Sequence, residues 1–481
     1  MFRSICTGLK TYNDGQKRPS QLLPSDSLNG LRGIAALFVF FFHVLFAYTN
    51  IHEFGYGSSP ENKWLVQLPF VRIWHSGHAM IAVFFVVGGY VMSIKPLKSI
   101  RGNQPVTFVE SLASSMFRRG FRLYIPAVIA TFISMTTLYA GLWEFSRPYI
   151  SEKYIFFDDH HIRRAPSLAA QLWDWCQETM ALTNVFTYYP VEHTMPSYPH
   201  YDPHLWTVPI EYRSSMVLAL LLISLYRCQS QVRLLLMLMA LVFCTIWDRW
   251  ELVCFISGSI LCQIDLMSGK LDDYSLINVK DAEMESKTFD MEGALPSPSL
   301  GTKKFSLGGS LSMPFHIPLL QDAGCHLFFL LGIFLLCCPS SDMESTPGYG
   351  FLQYCVPSTY SDPKRFAHTA GALLVVYCTM RSPVLRRPFN SSFAQYLGRI
   401  SYSLYIVHGP LNHIIGYAVT PTIWQQLTGN ETNWQWSLGL VMGTSILLPC
   451  VIVCAELYWR LIERWSINVS RRLEAWCSDD R

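Results

Sequence analysis

The sequence is divided into apolar blocks of roughly 20 residues, the length that an α-helix needs to cross a bilayer core of about 30 Å. Residues 28–49, LNGLRGIAALFVFFFHVLFAYT, form the first block. Of the 481 residues, 51% are hydrophobic and 15% are charged, whereas soluble domains contain roughly a quarter charged residues. The sequence therefore predicts an all-α fold, a polytopic transmembrane helical bundle.

The apolar blocks predict about ten membrane spans. An even number of spans places both termini on the same side of the membrane. Roughly three times as many Lys and Arg residues then lie on that side as on the other, so the positive-inside rule places both termini in the cytosol. The predicted spans cover residues 31–50, 77–94, 123–143, 205–226, 232–248, 250–267, 323–338, 366–380, 397–418 and 437–459.

The chain divides into one membrane domain, residues 28–465, and two short cytosolic tails, residues 1–27 and 466–481. A cytosolic loop at 268–321 is polar and contains many Ser, Gly, Pro and Lys residues, a composition that predicts disorder. A second long loop, 143–204, lies on the non-cytosolic side. The net charge is only +3, and we find no nucleic-acid motif, so binding to nucleic acid is not expected.

Three features are predicted on the non-cytosolic side. Residues 166–182, PSLAAQLWDWCQETMAL, have the spacing of an amphipathic helix at the membrane surface. Asn430 begins the sequence NET, an acceptor for N-glycosylation. Of the 14 cysteines, only Cys176 and Cys355 clearly lie outside the spans and the reducing cytosol, so a single disulfide is the most that we expect.

The first span carries two polar residues, Arg32 and His43. They are eleven residues apart, which is three helical turns, so they share one face and are separated by about 16 Å along the axis. A charge that faces lipid costs at least ~2.5 kcal/mol, so this face should point into the bundle or a cavity. Alternatively, Arg32 anchors the cytosolic end of the span and His43 is a packed side chain.

The fourth span repeats this pattern in HLWTVPIEYRSSM, residues 204–216. It contains His204, Glu211 and Arg213, and Pro209 removes a helix hydrogen bond and can kink the span. Residues two apart on a helix do not face each other, so Glu211 and Arg213 should not form a pair. The alternative to a functional role is a structural ion pair with another helix.

Three further segments contain polar residues or glycines within or beside predicted spans. The ninth span contains ISYSLYIVHGPL, with Tyr405, His408 and a hydroxyl-rich face. The third span begins with FRRGFR, residues 117–122, which are either ligands for an anion or anchors that fix the topology. In the second span, Gly88 and Gly89 allow a neighbouring helix to approach closely, and tight packing is the favoured interpretation.

Together these segments resemble the acyltransferase-3 family of integral membrane O-acyltransferases. LRGIAALFVFFFH, AVFFVVGGY, FRRGFRLYIP and ISYSLYIVHGP match family patterns and stand in family order, and the resemblance extends from about residue 26 to 465. LWTVPIEYR stands where bacterial relatives often have a Ser-Val-Glu-Glu pattern, a departure that resembles the fungal branch.

The resemblance implies transfer of an acyl group, commonly acetyl, from a cytosolic thioester such as acetyl-CoA to a hydroxyl. In this reading His43 is the general base, because an imidazole suits proton removal at neutral pH, and the acyl group either passes directly to the acceptor or is held covalently in between. Glu211 orients the imidazole of His43, as the acid of a triad does. Arg32, Arg119 and Arg122 bind the phosphates of the donor at the cytosolic face.

Other residues are candidates for the lining of the same cavity. They carry polar side chains within predicted spans, where such groups usually mark a functional path. These candidates are Arg213, His204, His408 and Tyr405.

The predicted acceptor is a hydroxyl of a specialised metabolite, a terpenoid or a polyketide, with a cell-wall or secreted glycan as the alternative. The partners are then acyl-CoA, a small-molecule alcohol and the bilayer, and we expect no permanently bound cofactor and no metal. A transporter is the rival class, but it predicts inverted repeats that the sequence lacks. A non-catalytic scaffold would tolerate replacement of His43. The endoplasmic reticulum or another endomembrane is the expected location.

Overall fold

The computed structural model describes residues 26–151, 153–186, 199–270 and 318–478, and these residues form helices joined by turns, without a strand among them. The predicted all-α class is confirmed for this part of the chain. The helices are α1 Asp26–Tyr48, α2 Gly77–Arg101, α3 Pro105–Tyr139, α4 Leu168–Thr183, α5 Thr207–Ser224, α6 Ser230–Ile246, α7 Trp250–Met267, α8 Pro318–Leu336, α9 Lys364–Arg381, α10 Pro383–Arg386, α11 Ser392–Leu411, α12 Tyr417–Ile423, α13 Asn433–Tyr458 and α14 Arg464–Cys477.

Each of the ten predicted spans coincides with a helix. Within the described ranges, six helical segments are long and apolar enough to cross a membrane, so the count of ten and the cytosolic position of the termini stay predictions. The largest difference in bounds is in α3, which begins at Pro105 rather than at residue 123. Its first half extends because it packs on α14, a helix within the predicted C-terminal tail. The six segments are Asp26–Tyr48, Gly77–Arg101, Pro105–Tyr139, Pro203–Ser224, Trp250–Met267 and Asn433–Cys477.

The outer surface of the bundle is apolar. On α6, for example, Leu235, Met239, Val242 and Phe243 each expose more than half of their side-chain surface. Contiguous apolar surface of this kind is unfavourable in water and marks contact with a membrane or a partner. Together with the six long apolar segments, this surface is that of a membrane protein.

The long loop between α3 and α5 contains the predicted amphipathic helix as α4. Leu168, Trp173 and Met180 are exposed on it, while Gln171 and Leu182 are buried against the bundle. An exposed apolar face on a short helix is typical of a helix that lies at a membrane surface, and that position stays a prediction.

The predicted disulfide and the predicted disordered loop can also be compared with the structure. Cys176 and Cys355 are both free thiols, so the expected single disulfide is not present between them. The predicted disorder falls on residues 268–321, most of which lie outside the described residues, as does nearly all of the N-terminal tail.

Helix α1 is positioned by close contact with α11. A Cβ added to Gly33 would lie 2.3 Å from the backbone nitrogen of Gly398, far inside van der Waals contact. The two glycines therefore let the backbones touch. This contact holds the helix that carries Arg32 and His43 against the helix that carries Tyr405 and His408.

Helices α2 and α7 meet in the same way. A Cβ on Gly89 would lie 2.1 Å from the carbonyl oxygen of Phe255, and a Cβ on Gly258 would lie 2.1 Å from that of Val86. The predicted packing role is thus confirmed for Gly89. Gly88 has an ordinary contact distance of 3.4 Å to the ring of Phe255, and it lines a cavity instead.

We predict that Gly258→Ala destabilises the protein by about 1–3 kcal/mol, because the added methyl group has no room and the helices must separate. Thermal unfolding in detergent measures the effect. Gly324→Ala is the matched control, since a Cβ there meets nothing within 4 Å. Equal melting temperatures for the two variants would contradict the packing interpretation.

Candidate functional site

Three histidines from distant parts of the chain meet inside the bundle. Nε2 of His204 lies 3.0 Å from Nδ1 of His43, and the rings of His204 and His408 have centroids 4.6 Å apart. One nitrogen from each ring lies within 4.8 Å of the other two. His43 comes from α1, His408 from α11, and His204 from the 3₁₀ turn Pro203–Trp206 that precedes α5. We call this group the histidine cluster.

The sequence around each histidine explains this meeting. Gly409 follows His408, and a Cβ on Gly409 would lie 2.3 Å from Nδ1 of His204 and 2.9 Å from Oδ1 of Asp202. Only glycine leaves room for the 3₁₀ turn at this position. Pro209 lies in the first turn of α5, where its missing N–H has no helical partner, so the predicted kink is not needed.

Two aspartates hold His204 from either side. Its Nδ1 donates to Oδ1 of Asp202 at 2.9 Å, and its Nε2 lies 3.0 Å from Oδ2 of Asp159. The side chain of Asp202 is fully buried, and that of Asp159 is 15% exposed. Burial alone would raise the pKa of Asp159, but a positive charge on His204, present whenever both of its ring nitrogens carry protons, lowers it to about 2. Asp159 is therefore a carboxylate at neutral pH.

Asp159 occupies a strained part of the loop between α3 and α5. Its φ is +46° and that of His160 is +57°, values that non-glycine residues rarely adopt. The loop is attached to α1, because the N–H of Phe156 donates to the carbonyl of Ala47 at 2.8 Å. Strain of this kind persists only where the surrounding structure enforces it, and it concentrates at functional sites.

A cavity of about 200 Å³ lies on the other side of the 3₁₀ turn, and Arg32, Arg119 and Arg122 line it. Arg119 donates to Glu211 at 2.8 Å. Among the described residues, the guanidinium groups of Arg32 and Arg122 have no carboxylate within ion-pair distance. Glu211 and Glu463 also line the cavity, so the three arginines leave it with one excess positive charge, which makes it a candidate site for an anion.

The cavity and the histidine cluster share a wall. Thr207 and Tyr405 line the cavity, and their hydroxyl oxygens are 2.7 Å apart. The hydroxyl of Tyr405 donates to the backbone carbonyl of His204. His43 does not line the cavity itself. The arginines and the histidines thus lie on the two sides of a thin partition formed by Thr207 and Tyr405.

The structure corrects the place predicted for Glu211. Its carboxylate contacts Arg119, and the partner of His43 is His204. Glu211 lies seven residues beyond His204, about 10 Å along the helix, which is too far to reach the imidazole of His43. Arg213 lies 4.0 Å from Glu251 on α7, outside the cavity. Both residues of α5 therefore make interhelical ion pairs.

Sequence reasoning missed Asp159 and Asp202. Asp202 had a usable signal, since it stands two residues before His204 in the sequence DPH. Asp159 had none, because its position depends on the path of a long loop. The predicted residues that do come together are His43, His204 and His408 in one group and Arg32, Arg119, Arg122, Glu211 and Tyr405 in the other.

One arrangement of protons makes the cluster a base. If Nδ1 of His43 donates to Nε2 of His204, whose Nδ1–H is bonded to Asp202, then Nε2 of His43 keeps a free lone pair. That nitrogen has no hydrogen-bond partner among the described residues. A carboxylate behind the second imidazole stabilises the charge that develops when the first accepts a proton. The cluster can therefore take the proton of a hydroxyl group.

Comparisons with known proteins agree with this chemistry. A family model described as an acyltransferase domain matches residues 25–268 and 305–455. O-acetyltransferase PaAT-1 of Phomopsis amygdali is 28% identical over 94% of this chain and 85% of its own length. Acyltransferase clz18 of Cochliobolus lunatus is 22% identical over 91% of this chain and 92% of its own. Acyltransferase R4 of a Phoma species is 23% identical over 93% of this chain and 95% of its own length.

No solved structure matches the chain. The family model covers well over half of the sequence, and its two matched segments include every residue of the histidine cluster and of the arginine group. The chain therefore belongs to the acyltransferase-3 family and is a membrane O-acyltransferase.

Proposed function

We propose that this enzyme moves an acetyl group from acetyl-CoA to a hydroxyl of a small specialised metabolite, a terpenoid or a polyketide. The observation that best supports this proposal is that the arginine-lined cavity and the histidine cluster lie on either side of Thr207 and Tyr405. The donor and the reacting groups can therefore bind next to each other. A relative from a fungus is named an O-acetyltransferase, which supports acetyl as the transferred group.

The donor enters the cavity from the cytosolic side. The phosphates of CoA bind Arg32 and Arg122, because charge-assisted hydrogen bonds from guanidinium groups suit phosphate oxygens. The pantetheine arm extends past Thr207 and Tyr405 and brings the thioester toward His43. The separation of about 16 Å between Arg32 and His43 along α1 sets the reach that the arm must cover.

The transfer step uses the base arrangement of the cluster. Nε2 of His43 takes the proton of the acceptor hydroxyl while the oxygen attacks the thioester carbonyl. A C–O bond forms, the C–S bond breaks, and the CoA thiolate receives the proton from His43. His204 and Asp202 stabilise the charged imidazole between these two proton transfers.

A comparison of cells with and without the gene tests the function directly. Mass spectrometry of the metabolites should show, in the absence of the gene, a compound lighter by one acetyl group than the normal product. Purified membranes with labelled acetyl-CoA should then convert that compound. If the accumulating compound is instead a glycan without its acetyl groups, the acceptor class proposed here is wrong.

We predict that His43→Ala lowers turnover by at least about 100-fold, the usual contribution of a general base. The variant should insert and unfold like the wild type, since His43 is half-buried and makes one hydrogen-bond contact. His326→Ala, on α8, is the control for loss of an imidazole elsewhere. Turnover within threefold of the wild type would remove His43 from the chemistry.

Arg122→Ala should raise the KM for acetyl-CoA about tenfold and leave kcat within threefold, because a lost phosphate contact weakens ground-state binding. Arg118→Ala is the matched control on the same helix. Arg118 pairs with Glu474 at 3.2 Å and does not line the cavity. A donor KM that moves equally in both variants would show an effect of net charge rather than of the cavity.

Glu211→Gln distinguishes the role predicted for Glu211 beside His43 from its ion pair with Arg119. The amide oxygen still accepts from Arg119, but the negative charge is lost and Arg119 becomes available to an anion. We therefore expect an unchanged or lower donor KM and a kcat within threefold of the wild type. A kcat lowered about 100-fold with the donor KM unchanged would return Glu211 to the reaction beside His43.

A further inference from the structure

The base arrangement of the histidine cluster leaves one contact without an explanation. When Nε2 of His204 accepts from His43, it presents no proton to Asp159, yet Oδ2 of Asp159 lies 3.0 Å from it. Two hydrogen-bond acceptors at this distance repel each other unless a positive charge lies between them. Asp159 is also held there by strained backbone, so the contact is enforced.

A proton on Nε2 of His204 does not give every polar atom of the cluster a partner. It would satisfy Asp159, but His43 would then have to present its Nδ1 lone pair and carry its own proton on Nε2. His43 is no base in that state. Moreover, Nε2 of His408 remains buried and has no hydrogen-bond partner among the described residues.

The remaining ring nitrogens are already fixed. Nδ1 of His204 donates to Asp202, and Nδ1 of His408 lies 2.6 Å from the backbone carbonyl of Tyr405, to which it donates. Histidines that bind metals almost always donate their second nitrogen to a carboxylate or a backbone carbonyl. Both histidines therefore present Nε2 lone pairs to the middle of the cluster, where Nδ1 of His43 also points.

We propose that His43, His204 and His408 bind a divalent cation, zinc by the chemistry of the donors, and that Asp159, which lies 3.0 Å from Nε2 of His204, offsets the charge of the ion. Three imidazoles that leave a fourth position open form a set that suits a catalytic Zn²⁺. With Zn–N bonds of about 2.0–2.1 Å, ligand nitrogens stand roughly 3.4 Å apart, between the closest pair at 3.0 Å and the limit of 4.8 Å.

The charges support the same assignment. Asp159 and Asp202 bring two negative charges to one buried place, and neither has a Lys or Arg within ion-pair distance among the described residues. Buried charges are retained in proteins when they are paired or coordinate a metal. One divalent cation balances both carboxylates and gives the three facing imidazole lone pairs a partner.

The cation changes the part that His43 plays, and this consequence rests on the proposed function. A hydroxyl that binds zinc loses its proton more readily, as zinc-bound water does. His43 would then be a ligand, and the metal would activate the acceptor. Both roles predict that His43→Ala stops turnover, so turnover alone does not distinguish them, whereas metal content does.

The test is metal analysis of the full-length protein in detergent, purified without chelators and dialysed against zinc and then against metal-free buffer. We expect about one zinc ion per chain in the wild type and at least a tenfold lower content in His408→Gln. Asp159→Asn is the second variant, since its loop position makes misfolding less of a concern. His75→Gln is the control, because His75 is equally buried but donates to the carbonyl of Val66 outside the cluster.

Zinc should also raise the melting temperature of the wild type and of His75→Gln, but not that of the two cluster variants. A wild-type protein that retains less than about a tenth of an ion per chain, or cluster variants that retain as much as the wild type, would overturn the proposal. Full acetyl transfer by zinc-free protein would also overturn the zinc site but would support the proposed function. One zinc ion per chain in a protein without any acyl transfer would support the zinc site and contradict the proposed function.

Discussion

The 3.0 Å contact between His43 and His204 holds the candidate site together. It brings the first helix of the bundle together with the end of the long loop between α3 and α5, and it requires two close approaches. Gly33 and Gly398 let α1 touch α11, and Gly409 lets the 3₁₀ turn touch α11. Without these approaches the three imidazoles would be too far apart to contact one another.

A second constraint is the cost of charge inside a bundle. Arg32 and Arg122 line a cavity in which no carboxylate of the described residues lies within ion-pair distance of either guanidinium group, although Glu463 also lines it. Such charges are expensive in a membrane protein and often mark a functional site. Arg119 has a counter-ion in Glu211. The cavity therefore contains one ion pair between helices and two further cations that, under the proposed function, bind the phosphates of the donor.

Helical periodicity accounts for the part of the site that the sequence predicted. Arg32 and His43 share a face because they are three turns apart, and the mixed polarity of their span identified that face as inward. The error at Glu211 arose because spacing within one helix does not show which neighbouring helix a side chain meets. The position of Asp159 could not be predicted from the sequence, because it depends on a left-handed backbone conformation within a long loop. The extension of α3 depends on α14, a helix from the far end of the chain.

The contact at Gly409 also makes the histidine cluster depend on the loop between α3 and α5. Asp159 lies in that loop, and Asp202 and His204 lie at its end, so the loop supplies three of the five side chains that form the histidine cluster and its two aspartate partners. Because Asp202 and His204 are close neighbours at one 3₁₀ turn, a shift of that turn away from α11 would move both of them away from His43 and His408 together. Under the proposed function, the base arrangement therefore exists only while this turn is packed against α11.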